Sequence, residues 1–311
     1  MDNYKIAPVI LFVYNRPLHT KRTLQALNYN IIADRTKIII FSDAAKTPQD
    51  EEKVIEVRQI IRQQYHFKEV EIKERTYNMG LAQSIIEGVS TTVEKYGKCI
   101  VLEDDIITSR YFLQYMNDAL CIYENEDKVM AVSGSCWLSD TEKRLLPETF
   151  LLPWFNCWGW ATWKRAWKIY EKDCDKLCNN TTSETIRRIN VNGSENFWDQ
   201  VLQNKKKIIN TWAIFFFVNI VKNNGLVLYS RKDLCRNIGL DGSGVNCIVG
   251  DEKENKKNIS DRKIKVIKNN IITNKKGEKL LELHFRRIHF VRDLHIVKNK
   301  IKKTLMLNDT K

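Results

Sequence analysis

Apolar and polar positions alternate in blocks through the first 135 residues. Val9–Tyr14 reads as a strand, and Leu18–Leu27 as a helix with Leu24 and Leu27 on one face. Lys37–Ser42 is a second strand, and Asp50–Tyr65 a helix whose Val54, Val57, Ile60 and Ile61 recur at helical spacing. Val70–Glu74, the helix Gly80–Lys95, the apolar strand Cys99–Leu102, the helix Arg110–Tyr123 and the strand Val129–Ser133 continue the series. Strands alternating with helices predict a mostly parallel central sheet flanked by helices, an α/β fold of Rossmann-like kind. Ligands then belong beyond the carboxyl ends of the strands. Those ends are Asn15-Arg16, Ser42-Asp43 and Glu103-Asp104-Asp105.

After residue 135 the periodicity gives way to aromatic, irregular sequence. Five tryptophans fall between Trp154 and Trp167, a helix is expected near Trp163–Tyr170, and Leu226–Tyr229 reads as a strand. The apolar run Trp212–Val221 is too short to span a bilayer, which takes about 20 residues, and no transmembrane helix is expected. Residues 251–276 are rich in Lys and Asn and read as loose, with a candidate hairpin over Ile264–Ile267 and Ile271–Ile272. From Leu281 the residues Leu281, Phe285, Ile288, Val291, Leu294, Val297, Ile301 and Leu305 follow at three- and four-residue steps, with Lys and Arg largely elsewhere. Such a basic amphipathic helix suits peripheral contact with an anionic membrane, or packing on its own domain or a partner.

Charge divides the chain in the same place. Residues 1–250 hold 33 Lys and Arg against 30 Asp and Glu, whereas residues 251–311 hold 18 against 8. The net charge of +13 therefore belongs to one end, which speaks against a nucleic-acid-binding body, because that charge would line the folded domain. The expected organisation is one folded domain over 1–250, divided at about residue 135 into two halves (1–135 and 136–250), followed by a basic extension over 251–311. The eight cysteines form no C-x-x-C pair and read as reduced thiols, which suits the cytoplasm.

Three carboxylates directly after a buried strand repel one another, and a divalent cation removes that difficulty. Mg²⁺ or Mn²⁺ takes one or two carboxylates and completes its shell with phosphate oxygens and water, which suits a nucleoside diphosphate leaving group. A solvated acidic turn is the bland alternative. From Pro8 to about Cys247 the chain resembles the GT-A glycosyltransferases. Within them it is similar to the group that holds β-1,2-N-acetylglucosaminyltransferase I and bacterial surface-polysaccharide transferases. Pro8–Pro17 is similar to the opening strand of the nucleotide site, and Asn78-x-Gly80-x-x-x-Ser84 to the segment entering the donor-side helix. Val101–Asp105 is similar to the acidic metal motif. The resemblance implies donor contacts at Asn15, Arg16, Asp43, Glu103 and Asp104, and Mn²⁺ or Mg²⁺ on Asp105. It also implies a UDP-sugar donor and a saccharide or lipid-linked saccharide acceptor in bacterial surface-glycan assembly, at the inner face of the plasma membrane.

Phe197-Trp198-Asp199 resembles the family's aromatic-Trp-Asp element, which implies Asp199 as the base that takes the acceptor's proton, with Glu195 as runner-up. Attack opposite the diphosphate would invert the anomeric centre. Trp198, Trp158 and Trp160 are candidate faces for a sugar ring, while Trp163 and Trp167, one helical turn apart, read as core. The loop containing Gly239, Gly242, Ser243 and Gly244 resembles the mobile loop over the donor. Two other readings stay open. A sugar nucleotidyltransferase would need a glycine-rich loop after the first strand, where Asn15-Arg16-Pro17 has none. A non-catalytic membrane or nucleic-acid adaptor would act through the tail alone.

Overall fold

The computed structural model describes residues 5–242 and 259–308, with side chains described through residue 294. Its first half runs β1 (Val9–Val13), α1 (Pro17–Asn28), β2 (Lys37–Ser42), α2 (Glu51–Ile61), β3 (Glu69–Glu74), α3 (Leu81–Tyr96), β4 (Lys98–Glu103), β5 (Ile106–Thr108), α4 (Phe112–Ile122) and β6 (Val129–Ser133). The second half adds α5 (Asp140–Lys143), β7 (Thr149–Leu152), β8 (Trp160–Trp163), α6 (Lys164–Trp167), α7 (Cys174–Asn179), α8 (Ser183–Ile189), α9 (Trp198–Lys205), α10 (Ala213–Lys222), β9 (Leu226–Ser230), β10 (Cys235–Asn237) and α11 (Lys275–Asn308).

Eight strands form one sheet in the order β3-β2-β1-β4-β8-β6-β9-β7, and β5 pairs with β10 in a small second sheet. Strands β3, β2, β1 and β4 are mutually parallel, β8 and β7 run against their neighbours, and β6 pairs parallel with β9. The fold is thus α/β with a mostly parallel sheet flanked by helices. Strand β1 and the Cys99–Leu102 part of β4 read as unbroken apolar runs because both their faces are covered. The chain moves outward from β1 through β2 to β3, then returns through α3 to place β4 on the other side of β1. The order reverses between β1 and β4, and a crevice opens at their carboxyl ends at such a reversal.

The second half builds an aromatic core. The Trp160 ring stacks on Trp212 at 5.2 Å and meets Phe155 edge-on at 5.1 Å, with Trp167 and Phe216 beside it. The run 212–221 is largely α10, whose middle residues are all buried, so it serves the core rather than a bilayer. Among the described residues no helix is long and apolar enough to cross a membrane.

Residues 259–274 differ from the expectation of a loose segment. They form no hairpin but lie along the domain, burying Ile264 and Val266, with Asn269 bonded to Tyr123 and Thr149 and the Asn274 N–H to Leu151. Backbone groups of Thr149 and Leu151 supply the partners that a hairpin would otherwise have provided. Cys99, Cys121, Cys174 and Cys178 are free thiols.

Candidate active site

Three strand ends converge on the crevice. Phe12 in β1 pairs with Glu103 in β4, and Val13 pairs with Ser42 in β2, so Asn15-Arg16, Asp43 and Glu103-Asp104-Asp105 emerge side by side. Pro17 opens α1, its fixed φ suiting the first helical position, and this turn directs Arg16 across the reversal point. One guanidinium nitrogen, Nη2, donates to Asp104 and, at 2.9 Å, to Asp105. Thr23 of α1 donates to the Asp104 carbonyl at 2.7 Å and holds the acidic turn from below.

One cation does not balance three acids. Burial raises the Glu103 carboxyl to about 8, Asp105 and Asp104 adding to the effect against Arg16. Burial likewise raises Asp104 to about 6, with Arg16 pulling it down and Asp105 pushing it up. Burial opposes the charge on Arg16, but Asp104 and then Asp105 outweigh it and raise its pKa. The cluster is short of positive charge. It also contains two buried atoms with no hydrogen-bond partner, Arg16 Nη1 as donor and Asp105 Oδ1 as acceptor. Orphaned buried polar atoms of opposite character in one crevice are costly unless a ligand meets them.

The arch over this cluster comes from β10. The β5–β10 ladder brings Asn237 opposite Ile106, and the Ile238 N–H then bonds the Asp105 carbonyl at 2.8 Å. Gly239 follows, its N–H held by the Asn237 side chain at 2.6 Å. A Cβ there would sit 2.7 Å from Arg16 Nη1 and closer still to Asp105 Oδ2, so only glycine lets the backbone approach. His19 Nε2 lies 3.2 Å from Asp241 at the end of the arch. Gly242, at φ +85°, is exposed, while Ser243 and Gly244 lie outside the described residues.

Other expected residues have different surroundings. Asp43 accepts from the backbone N–H groups of Ala44, Met79 and Gly80, joining β2 to the start of α3. Its carboxylate is thus committed to the scaffold of the site. Asn15 bonds Asp50 at 2.7 Å. Trp160, only 1% exposed, is a correction: it is part of the aromatic core and offers no face to a sugar. Trp198 is buried as well and belongs to the core cluster. Both rings gain more from apolar burial than a solvent-facing position would give them. Trp158 stays half-buried next to Gly159, which takes a left-handed φ of +56°.

Asp199 stands in the first turn of α9 and accepts from Gln203 at 2.5 Å. Among the described residues no hydrogen bond or ion pair joins it to Arg16 or the three acids. Glu195 is bonded at 3.0 Å to His289 of α11.

A metal ion fits the donor set in one respect: Asp105 Oδ1 is a buried carboxylate oxygen without a partner. Among the described residues no group of three or more His, Cys, Asp or Glu is disposed to hold an ion, so phosphate and water would have to complete its shell. A cleft of about 590 Å³ opens at the opposite, amino ends of the strands, lined by Lys5, Lys37 and Lys68 among others. Lys37 there is already paired with Glu69 and Glu71.

Two residues central to this geometry were not distinguished by sequence alone. Gly239 was legible only as part of the loop that resembles the mobile loop over the donor, not as the residue that approaches Arg16 and Asp105. Lys143, fully buried and 2.5 Å from Asp233, anchors the segment that leads into β10. A lysine in the polar stretch Asp140-Thr141-Glu142-Lys143 reads as solvated.

No protein-family model and no curated protein matches the chain. Among solved structures it is similar to the mannosyltransferase PcManGT from Pyrobaculum calidifontis in complex with GDP-Man and Mn²⁺. That likeness has 14% identity and a TM-score of 0.36, and covers 71% of this chain and 70% of that one. It is also similar to mouse xyloside xylosyltransferase 1 (11% identity, TM-score 0.34, covering 70% and 82% of the two chains). A third is the glycosyltransferase GlyE of Streptococcus pneumoniae TIGR4 (16% identity, TM-score 0.33, 73% and 45%). At these identities and scores the likeness carries no argument, and the functional reading rests on the crevice itself.

Proposed function

We propose that the chain is an inverting, metal-dependent glycosyltransferase of GT-A type. It would move a sugar from a nucleoside diphosphate donor, a UDP-sugar by resemblance, to a saccharide or lipid-linked saccharide acceptor. The observation that carries the reading is the pair of unpartnered buried atoms, Arg16 Nη1 and Asp105 Oδ1, in a cation-poor acidic crevice at the sheet's reversal point. Anionic phosphate answers the free donor, and a divalent cation answers the free acceptor. Asp105 would hold Mn²⁺ or Mg²⁺, which when bound offsets the negative charge of the diphosphate.

The chain's own residues supply the rest. Arg16 orients the diphosphate, with Glu103 and Asp104 facing the ribose and the donor sugar. Asp43 fixes the wall of the nucleotide site through the turn into α3. Asp199 takes the proton of the acceptor hydroxyl as that oxygen bonds to the anomeric carbon, and the bond to the diphosphate breaks. Trp158 is the aromatic face left for a sugar ring. The setting in this reading is bacterial surface-glycan synthesis at the cytoplasmic face of the plasma membrane.

The test is release of nucleoside diphosphate from a panel of nucleotide sugars and acceptors, with and without Mn²⁺. Asp105→Asn should abolish Mn²⁺-dependent turnover. Asp199→Asn should keep donor binding and lose transfer. Normal transfer by Asp199→Asn would move the base elsewhere, and no turnover with any donor would remove the assignment.

A further inference from the structure

Helix α11 has two apolar faces, and the domain uses only one. At 100° per residue, positions 281, 285 and 288 fall together, the first two buried and Ile288 already 45% exposed. Leu281 is fully buried on the domain, and Phe285 packs against Trp137 and Phe197 at 6.0 and 5.8 Å. Polar contacts fix this face: His284 and Arg287 each lie 2.9 Å from Glu142, His289 is 3.0 Å from Glu195, and Asn192 donates to Glu282 at 2.7 Å. These contacts orient the first turns of the helix.

The opposite face carries Leu283, Phe290 and Leu294, which are 52%, 63% and 45% exposed. Positions 297, 301 and 305 (Val, Ile and Leu) continue that line at helical spacing. All residues from Phe290 to Leu294 are exposed, so the helix leaves the domain there. Over Lys275–Asn308 it has ten Lys and Arg against three Asp and Glu. At helical spacing positions 286 and 300 fall on one side of this line and 298 and 302 on the other, all Lys or Arg.

We propose that this second face of α11 docks in the surface of an anionic lipid membrane. An apolar line between two basic borders buries its side chains among acyl chains while the cations meet headgroups. The anchored first turns would then hold the catalytic domain in a fixed orientation to the membrane. A second copy of the chain fits less well, because two such helices side by side would bring like charges together. The inference does not depend on the reaction proposed above, since it concerns the exposed face of α11 and none of Arg16, Glu103, Asp104 and Asp105.

The test uses the whole chain and co-sedimentation with two kinds of vesicle. One is phosphatidylcholine alone, the other an equal mixture of phosphatidylcholine and phosphatidylglycerol. Wild type should bind the mixed vesicles and lose them as salt is raised. Phe290→Ser with Leu294→Ser, both at exposed positions, should weaken that binding on the order of a hundredfold. Lys298→Glu with Lys302→Glu should weaken binding to mixed vesicles while leaving the circular dichroism of the domain unchanged. Undiminished binding by the serine variant, or equal binding to both vesicles, would overturn the proposal. So would a wild-type dimer in sedimentation that the serine variant dissolves, since the face would then meet a second copy.

Discussion

Replacing Gly239 by Ala perturbs the crevice without removing a charged group. The added methyl would lie 2.7 Å from Arg16 Nη1 and 3.0 Å from Asp105 Cγ, with Asp105 Oδ2 nearer still. Carbon normally approaches such atoms no closer than about 3.5 Å, so the pair must withdraw by roughly an ångström. Neither side yields freely. The arch is pinned by the Ile238 N–H on the Asp105 carbonyl and by the Gly239 N–H on Asn237. Asp105 is tied to Arg16, and the acidic turn to Thr23. Overpacking of this kind costs about 1–3 kcal/mol of stability. Shifting Asp105 should also weaken Mn²⁺-dependent nucleotide binding at least about tenfold, a difference of about 1.4 kcal/mol. The control is Gly97→Ala. Gly97 ends α3 at φ +80° with open space around its Cβ position, so the substitution costs about 1–2 kcal/mol through the backbone alone. Both variants should unfold at lower guanidinium concentration, but only Gly239→Ala should lose nucleotide affinity in calorimetry. Wild-type affinity in Gly239→Ala would refute the close approach of the arch to the acids.

Lys143→Met leaves the Asp233 carboxylate buried without its cation and should cost about 3–5 kcal/mol in guanidinium unfolding; a loss under about 1 kcal/mol would show the pair to be solvated. The raised Glu103 carboxyl sets a pH dependence of definite sign. Between about pH 4.5 and 8 the folded chain holds a proton that the unfolded chain releases, so this group's contribution to stability falls as pH rises through that window. The slope is at most about 1.4 kcal/mol per pH unit. Glu103→Gln should flatten the stability profile relative to wild type, and parallel profiles would show that Glu103 ionises normally.

Most of the first half of the fold was legible because strands β1, β2, β4 and β6 are built on apolar blocks and the helices between them have 3–4 stripes, local signals that tertiary packing reinforces. Strands β5 and β10 were not, since each is three residues long and their pairing joins positions more than a hundred residues apart. Strand β8, Trp-Ala-Thr-Trp, is buried on both faces and has no alternation to read. Helix α10 is apolar all round, which removes the helical period. The acids were legible from their position after a strand, but their pairing with Arg16 spans almost ninety positions and has no local signature. On α11 the sequence suggested one continuous stripe. Repeated three-residue steps each fall 60° short of a full turn, so the line through 285, 288, 291 and 294 rolls from the domain face to the exposed one.

Calorimetric titration of UDP into the protein, with and without Mn²⁺, in wild type and Asp105→Asn, tests the central claim most directly. Wild type should bind UDP appreciably tighter with Mn²⁺ present, and Asp105→Asn should lose that gain while remaining folded. An equal Mn²⁺ effect in both proteins, or none in wild type, would contradict the assignment of the Arg16–Asp105 crevice as the donor site.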